Sequence, residues 1–258
     1  MAKSRCGVSA ELNSASGPVL YYSGEFAQRA SSYAPWCELQ QVRQAPMVTE
    51  PALYLDRQGM WLCMPGHSTP FQPSHAELLR RAQGTGPRTE LVRACGKSMA
   101  GLRILDACAG FGSDGLLLAL LGAKVCLVER QPLIWIMLHE RARHFIDTQV
   151  ICDEAEAVLA GPADEGSAGP WDVILLDPMF PPRSKKALPN RGLQHLRELT
   201  QSHHESADVE TLLRLALNRT GGRVVLKRRL RDGVLLAPDF QIKGKSVRFD
   251  VYQGREES

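Results

Sequence analysis

The sequence predicts an α/β protein whose mostly parallel β-sheet is covered by helices on both faces. From about residue 101, five short apolar segments alternate with segments of helical character, which is typical of crossover connections between parallel strands. The apolar segments are nearly continuous, as expected for strands that are buried on both faces. The segment 240–254 predicts an antiparallel hairpin that turns at Gly244 and extends one edge of the sheet.

The elements of this main domain, residues 99–258, follow from the same patterns. Strands are expected at 102–107, 123–129, 148–154, 171–177 and 223–228. Helices are expected at 114–122, 132–145 and 208–219. Pro132 fits the first turn of the second helix, and Gly221 with Gly222 ends the third.

Residues 1–98 predict a small, irregular N-terminal region. Pro, Gly and Ser occur throughout it, and a β-hairpin is expected where ALYL and MWLCM flank a turn at 56–59. Two short helices are expected at 74–82 and 89–96, the second ended by Gly96. We therefore expect one main domain with a smaller attachment.

Composition excludes several classes of protein. With 258 residues, 44% hydrophobic and 23% charged, the chain has the make-up of a soluble globular protein. The net charge of +3 means that nucleic-acid affinity would have to come from local basic clusters. Seven scattered cysteines without a C-x-x-C pair predict reduced thiols in a cytoplasmic protein, and no metal ligand set is evident. No run of about 18 apolar residues predicts a membrane span, and no obligate protein partner is evident.

A glycine-rich turn joins the first strand of the main domain to its helix. In LDACAGFGSDG, residues 105–115, the glycines Gly110, Gly112 and Gly115 form a G-x-G-x-x-G pattern, which lets a ligand approach the backbone. Glu129 ends the second strand, about 20 residues further on, where an acid can accept hydrogen bonds from ribose hydroxyls. A tight structural turn would explain the glycines alone, but the strand, helix and acid together predict a Rossmann-like nucleotide site.

Two acids at this turn bear on the choice of ligand. Asp106 ends the strand and Asp114 begins the helix. A nicotinamide dinucleotide would place an anionic pyrophosphate at the helix N-terminus, where acids oppose it. S-adenosylmethionine, which carries a sulfonium, an ammonium and a carboxylate, fits better. We expect Asp106 to serve the ammonium, directly or through water, and backbone amides near Gly110 and Gly112 to hold the carboxylate. Asp114 would equally fit an ordinary helix N-cap.

Two further acids are candidates for recognition of the adenine ring. Asp153 and Glu154 follow the third strand, where contact with the adenine amino group is expected in this fold. Either residue could equally be a solvated loop acid. We carry both as candidate cofactor-binding residues.

The fourth strand ends in Asp177-Pro178-Met179-Phe180, which predicts chemistry on an amino group. Ligands of open α/β sheets bind beyond the carboxyl ends of the strands, which places Asp177 and Phe180 near the sulfonium. A carboxylate and the Pro178 carbonyl could accept both N–H bonds of an exocyclic amine, orienting it and localising its lone pair. Phe180 could stack on an extruded base, and the proline would stiffen the turn. Asp177, Pro178 and Phe180 are therefore the predicted catalytic residues.

Basic residues follow both the fourth and the fifth strands, at the same edge of the sheet. Lysine and arginine side chains neutralise phosphates and give affinity for nucleic acid that does not depend on sequence. The predicted RNA-binding residues are Arg183, Lys185, Lys186, Arg191, Lys227 and Arg228. A solvated loop is the alternative for either cluster alone.

Five segments, in this order, resemble the ribosomal RNA small subunit methyltransferase J family. They are DACAGFGSDG, VERQP, LLDPMFP with SKKAL, VVLKR and KGKSVRFDVYQG, and the resemblance covers residues 102–254. It implies a class I S-adenosylmethionine-dependent methyltransferase that modifies the N2 amine of one guanine in 16S rRNA, with 16S rRNA or the 30S subunit as partner. It also implies donor contacts at Ser113, Asp114, Glu129, Arg130, Glu154 and Asp177.

Three other functions remain compatible with these residues. The Asp-Pro-x-Phe chemistry would also serve a methyltransferase for an adenine amine in DNA or RNA. The glycine turn would also serve a nicotinamide-dinucleotide oxidoreductase, although Asp106 and Asp114 argue against it. The basic clusters would also serve a catalytically idle RNA-binding module.

Overall fold

The structure is a computed structural model that describes residues 17–84, 89–161, 171–178, 191–200 and 208–254. Its N-terminal sheet has the strand order β2-β1-β3-β4. β1 pairs in parallel with β2 and β3, while β3 and β4 form the predicted antiparallel hairpin. These strands are β1 (Val19–Tyr22), β2 (Glu38–Gln41), β3 (Ala52–Asp56) and β4 (Gly59–Cys63).

The N-terminal region is more regular than the sequence predicted. A 3-10 turn, Gly24–Phe26, and helix α1, Ala27–Ser31, connect β1 to its parallel neighbour β2. The strand β2 was not predicted, because ELQQ is polar and lies at an exposed sheet edge where no apolar side is required. The expectation of an irregular region with a hairpin is corrected to a four-stranded sheet among the described residues.

Both predicted helices of the region are present, and both pack toward the main domain. They are α2, His75–Gly84, and α3, Glu90–Cys95. Helix α3 packs on the main domain against the last three strands of the chain, which form one edge of the large sheet. Helix α2 packs against the helix that follows the glycine turn. The boundary predicted between residues 98 and 99 therefore separates two helices from the elements they pack on.

The large sheet confirms the predicted α/β architecture. Its strands follow the order β10-β11-β9-β8-β5-β6-β7, and only β11 runs antiparallel to its neighbours. β10 and β11 are the predicted C-terminal hairpin. The strands are β5 (Arg103–Asp106), β6 (Lys124–Val128), β7 (Thr148–Ile151), β8 (Val173–Leu176), β9 (Arg223–Arg229), β10 (Phe240–Lys243) and β11 (Val247–Gln253).

Within the ranges that the structure describes, five further helices accompany this sheet. Three of them, α4, α5 and α8, were predicted, whereas α6 and α7 were not. α6 is short, and α7 begins within the segment whose basic residues indicated phosphate binding. The helices are α4 (Gly115–Leu120), α5 (Pro132–Ala142), α6 (Ala155–Ala160), α7 (Arg191–Thr200) and α8 (Val209–Arg219). No helix among the described residues is long and apolar enough to span a bilayer.

Hydrophobic cores cover both faces of the large sheet, as the continuous apolar strands predicted. Ile104 faces a core shared with α4, α5 and the N-terminal sheet, and its neighbour Leu105 faces a second core under α6 and α8. The N-terminal region therefore covers one face of the sheet. The strand order reverses between β5 and β8, which is where an α/β sheet opens a crevice for a ligand.

A buried glutamate attaches the N-terminal region to α5. Glu140 is 4% exposed, and its carboxylate accepts hydrogen bonds from the Tyr33 hydroxyl at 2.7 Å, from Arg143 at 2.9 Å and from Arg29. Arg29 and Tyr33 belong to the N-terminal region, whereas Arg143 follows α5. Arg143 and Arg29 donate to the same oxygen, Oε1 of Glu140. One side chain thus satisfies donors from both parts of the chain.

Glu140→Ala should lower the free energy of unfolding by about 3 kcal/mol, because it leaves buried donors and a guanidinium without their acceptor. Urea unfolding followed by circular dichroism measures this loss. Glu210→Ala is the matched control, since Glu210 pairs with Arg214 on the exposed face of α8 and should contribute only about 0.5 kcal/mol. Equal losses for the two variants would contradict the role of Glu140.

Candidate active site

A cavity of about 860 Å³ opens at the carboxyl ends of β5 and β8, where the strand order reverses. Such a volume lies within the range of roughly 300–1,000 Å³ that is usual for small-molecule and cofactor sites. Gly112 lies in the turn but does not line the cavity. The predicted donor-binding residues that do line it are Asp106, Gly110, Ser113, Asp114, Glu129, Arg130, Asp153, Glu154 and Asp177.

The three glycines of the turn are needed for two different reasons. Gly110 has φ 53° and Gly112 has φ 75°, both in the left-handed region that favours glycine. At Gly115 the reason is space, because a Cβ there would lie 2.3 Å from Leu127 Cδ2 and 2.7 Å from Asp106 Oδ2. The helix α4 can therefore begin directly over the end of β5 only if residue 115 has no side chain.

Asp106 is a buried carboxyl group whose environment favours a cationic ligand. The residue is 2% exposed, and Oδ1 is buried without a hydrogen-bond partner in the described part of the chain. Burial, with smaller contributions from Asp114 and Asp177, raises the pKa of Asp106 to about 8. The carboxyl group is therefore mostly protonated at neutral pH, and a positive group placed beside Oδ1 would favour its ionisation.

Asp114 and Asp177 share one ammonium group. Lys227 Nζ lies 2.6 Å from Asp114 Oδ2 and 2.7 Å from Asp177 Oδ2, and Arg81 Nη2 lies 3.0 Å from Asp114 Oδ1. Burial would raise the pKa of Asp114, but the charges of Lys227 and Arg81 outweigh it and lower that pKa. Burial raises the pKa of Asp177, and Lys227 only partly offsets this. Asp114 stands at the N-cap position of α4 without a capping bond from its side chain, so the ion pairs replace the N-cap interaction that the sequence allowed.

Glu129 holds the glycine turn in place. Its Oε2 accepts from the Gly110 amide at 3.0 Å, and its Oε1 accepts from the Gln131 amide at 2.8 Å. Burial raises the pKa of Glu129 to about 7, although both backbone hydrogen bonds oppose the shift. The contact of Glu129 with ribose hydroxyls remains a prediction. The hydrogen bond from the Gly110 amide to Glu129, which connects the turn to the end of β6, was not indicated by the sequence.

The end of β7 brings a third group of predicted residues to the cavity. Arg130 Nη1 lies 3.4 Å from Glu154 Oε2, and Asp153 Oδ1 accepts from the Glu154 amide at 2.8 Å. Glu154 occupies the N-cap position of α6. The three side chains thus form a polar wall beside Glu129, where the adenosine part of a nucleotide-type ligand was expected.

The predicted RNA-binding residues lie in different environments. Arg191 is at the cavity rim, where it donates to the Thr69 carbonyl and to His195 Nε2. Lys227 points into the cavity floor, and Arg228 is 8% exposed and donates to the Gly233 carbonyl at 3.1 Å. Phe180, Arg183, Lys185 and Lys186 lie outside the described residues.

The structure places Lys227 and Arg228 on opposite faces of β9. The sequence predicted a fifth strand at 223–228 and assigned both basic side chains at its end to RNA phosphates, and β9 ends one residue later, at Arg229. Within a strand, successive side chains point to opposite faces, so that one enters the cavity and the other is buried. Contact with RNA phosphates stays a prediction for both residues.

Several cavity residues come from segments in which no sequence motif indicated a contact with the cavity. Arg81 of α2 also donates to the Ser113 carbonyl at 3.0 Å, and Arg141 of α5 donates to the Phe111 carbonyl at 2.5 Å. Burial, followed by repulsion from Arg81, lowers the pKa of Arg141 to about 10. Phe71, which precedes α2, lines the cavity and packs against Phe111. The packing of the N-terminal region on the main domain brings Phe71 and Arg81 to the cavity, whereas Arg141 reaches it from α5 within the main domain.

Three possible metal ligands also meet near the rim, although the sequence showed no such set. Ligand atoms of His67, His195 and Glu198 lie within 4.8 Å of one another. His195 Nε2 accepts from Arg191 Nε at 3.2 Å, and Nδ1 lies 3.3 Å from Glu198 Oε2. These hydrogen bonds engage both ring nitrogens of His195 and account for the arrangement without an ion.

Comparisons with known proteins agree with this geometry. A family model described as "Putative SAM-dependent methyltransferase", SAM being S-adenosylmethionine, matches residues 71–254. Ribosomal RNA small subunit methyltransferase J of Legionella pneumophila (strain Lens) is 33% identical over 239 residues, covering 90% of this chain and 94% of that protein. The protein of the same name from Alkalilimnicola ehrlichii is 38% identical over 231 residues, covering 81% of this chain and 87% of that protein.

A solved structure shares the fold. The crystal structure of a SAM-dependent methyltransferase from Neisseria gonorrhoeae superposes with a TM-score of 0.69 at 23% identity, covering 93% of this chain and 97% of that one. The comparisons support neither the adenine-amine methyltransferase nor the nicotinamide-dinucleotide oxidoreductase. The chain belongs to the ribosomal RNA small subunit methyltransferase J family and is an S-adenosylmethionine-dependent methyltransferase.

Proposed function

We propose that this chain transfers the methyl group of S-adenosylmethionine to the exocyclic N2 amine of a guanine in 16S rRNA, in the cytoplasm. The observation that carries the proposal is the position of Asp177. This carboxylate and Pro178 end β8 in the same cavity as Asp106 and the glycine turn. The names of the relatives support small-subunit rRNA as the substrate.

The residues present fit the methyl donor. The unpartnered Oδ1 of Asp106 offers an acceptor for an ammonium group, and Gly110 keeps the backbone of the turn accessible. Glu129, at the end of β6, retains lone pairs beyond its two backbone hydrogen bonds for ribose hydroxyls. We assign the adenine ring to the wall formed by Arg130, Asp153 and Glu154.

The target amine is held by the end of β8. An exocyclic amine is a weak nucleophile, because its lone pair is delocalised into the base. Asp177 and the Pro178 carbonyl each accept one N–H bond, which orients the amine and localises the lone pair. When bound, S-adenosylmethionine supplies an electrophilic methyl group on its sulfonium. Asp177 or water then takes the proton that the methylated nitrogen loses.

Base extrusion and phosphate contacts complete the proposal. Phe180 would stack on the extruded guanine. Stacking of a base on an aromatic side chain contributes roughly 1–3 kcal/mol to the binding free energy. Arg183, Lys185 and Lys186, with Arg191 at the rim, would bind phosphates of the RNA backbone. Most of the rate would come from positioning and exclusion of water rather than from strong base catalysis.

Methyl transfer from labelled donor to RNA tests this function. The substrates are 16S rRNA and 30S subunits from cells that lack the modification, with 23S rRNA as the matched control. We expect label in 16S rRNA, in one or both forms, and none in 23S rRNA. Donor binding without label in either form of the 16S rRNA would contradict the proposed substrate, and the absence of donor binding would contradict the assigned site.

Donor binding should release a proton from Asp106. Because the free carboxyl has a pKa of about 8, it is mostly protonated at pH 7, and a cationic donor binds its ionised form better. The dissociation constant should therefore fall as pH rises toward 8, by up to about tenfold per pH unit. Calorimetry in buffers of different ionisation enthalpy measures the released proton directly.

Asp106→Asn should remove this pH dependence, whereas Glu129→Gln should retain it. Glu129 is the matched control, because it titrates in a nearby range, with a pKa of about 7, but faces neutral hydroxyls in our assignment. A pH dependence that survives in Asp106→Asn would contradict the role of Asp106.

A further inference from the structure

The floor of the cavity contains a chain of alternating charges. It runs from Arg81 to Asp114 at 3.0 Å, from Asp114 to Lys227 at 2.6 Å and from Lys227 to Asp177 at 2.7 Å. The four side chains come from α2, from the start of α4, from β9 and from the end of β8. The chain thus connects the N-terminal region to the proposed catalytic carboxylate.

Lys227 is fixed within this chain by its surroundings. It lies inside β9, opposite Phe249 of β11, and its neighbours Leu226 and Arg228 are buried on the other face. Its side chain is 22% exposed. Asp114, which Arg81 holds from the other side, anchors the ammonium through Oδ2. The ammonium can therefore act as a rigid contact for its second partner, Asp177.

Lys227 binds only one edge of the Asp177 carboxylate. The contact is made to Oδ2, and no hydrogen bond to Oδ1 is found among the described residues, so its lone pairs can serve another donor. An amine presented to Oδ1 would meet a carboxylate whose rotation is already restricted. This pre-organisation is what a weakly nucleophilic amine requires.

We propose that Lys227 is a positioning residue for methyl transfer, which keeps Asp177 ionised and fixes its carboxylate toward the target amine. This inference rests on the proposed function of Asp177. It assigns Lys227 a role in the reaction itself in place of the phosphate contact that the sequence suggested.

The charges around Asp177 explain why a cation is needed there. Among the described elements, the charged or titratable groups near Asp177 are Lys227, Asp114, Asp106, Cys108 and, through Asp114, Arg81. Burial and the neighbouring Asp114 both favour the protonated form of Asp177, and Lys227 opposes them. An opposite charge at this distance lowers the pKa of a carboxyl group by about 1–3 units. Without Lys227, Asp177 would titrate closer to neutral pH and would lose an acceptor when protonated.

Lys227→Met tests this role, with Lys243→Met as the matched control on the exposed face of β10. We measure kcat across about pH 5–9, the KM for 16S rRNA and the donor dissociation constant. In Lys227→Met, kcat should fall about 100-fold at neutral pH, and the acid limb of the profile should move up by about one unit or more. At the alkaline end of this range, where Asp106 is ionised, donor affinity should change by less than about threefold, because Asp106 and Glu129 remain. Lys243→Met should match the wild type.

Charge conservation provides the second test. Lys227→Arg should restore the wild-type position of the acid limb, because it returns a cation to the same place. Lys227→Gln, which can hydrogen-bond but carries no charge, should behave like Lys227→Met and replaces it if the methionine variant does not fold. Thermal melting and donor binding show that each variant is folded.

Three results would overturn the inference. An unchanged pH profile in folded Lys227→Met would show that the charge of Lys227 does not act on Asp177. A raised KM for RNA with unchanged kcat would make Lys227 a phosphate contact, and loss of donor binding would make it a donor contact. A wild-type chain that binds the donor but methylates no RNA would overturn the proposed function and this inference with it, whereas an active wild type would leave only this inference at issue.

Discussion

Asp177→Ala should lower the rate of methyl transfer about a thousandfold while leaving donor affinity within about fivefold of the wild type. In the proposed mechanism the carboxylate is the acceptor that orients the target amine, whereas the donor would be held mainly by Asp106, the glycine turn and Glu129, which line the same cavity. Single-turnover transfer of label to 16S rRNA measures the rate, and calorimetry measures donor affinity.

The matched control is Asp172→Ala, at the opposite end of the same strand. Asp172 precedes β8, is 40% exposed and contacts Arg103 at the amino-terminal edge of the sheet, far from the cavity. Its loss should change the rate by less than about twofold. An Asp177→Ala variant that keeps more than about a tenth of the wild-type rate would contradict the proposed role.

Gly115→Ala should abolish donor binding and lower the free energy of unfolding by about 1–3 kcal/mol. The new Cβ would lie 2.3 Å from Leu127 Cδ2 and 2.7 Å from Asp106 Oδ2, closer than side chains can approach. Either α4 must move away from the sheet or Asp106 must leave its position, and both changes disturb the donor site. Calorimetry with the donor and urea unfolding measure the two effects.

Gly84→Ala is the matched control for this substitution. Gly84 also lies at the end of a helix, but a Cβ there would meet nothing within 4 Å. Its replacement should leave donor binding unchanged and leave stability unchanged or raise it by up to about 1 kcal/mol. Normal donor binding by Gly115→Ala would show that the turn does not need its close packing.

The fold of the main domain could be predicted because its strands carry an unambiguous pattern. Ile104 and Leu105 are both fully buried, on opposite faces, which is what a continuous apolar run predicts for a sheet covered on both sides. The strand ends then located Asp106, Glu129 and Asp177 at one edge. Each of these acids follows or ends a strand and lines the cavity.

The contacts of the site that the sequence did not indicate depend on tertiary packing. Arg81 reaches Asp114 because α2 packs against α4, and nothing in the local sequence of α2 indicates this contact. Lys227 was assigned to RNA phosphates, because the local sequence does not show that its ammonium group lies between Asp114 and Asp177.

Nucleoside analysis of methylated RNA tests the central claim most directly. Unmodified 16S rRNA or 30S subunits are incubated with donor and wild-type chain, digested to nucleosides and examined by mass spectrometry. We predict N2-methylguanosine with the wild type and its absence with Asp177→Ala. A methyl group on adenine, or on any other atom of guanine, would contradict the account.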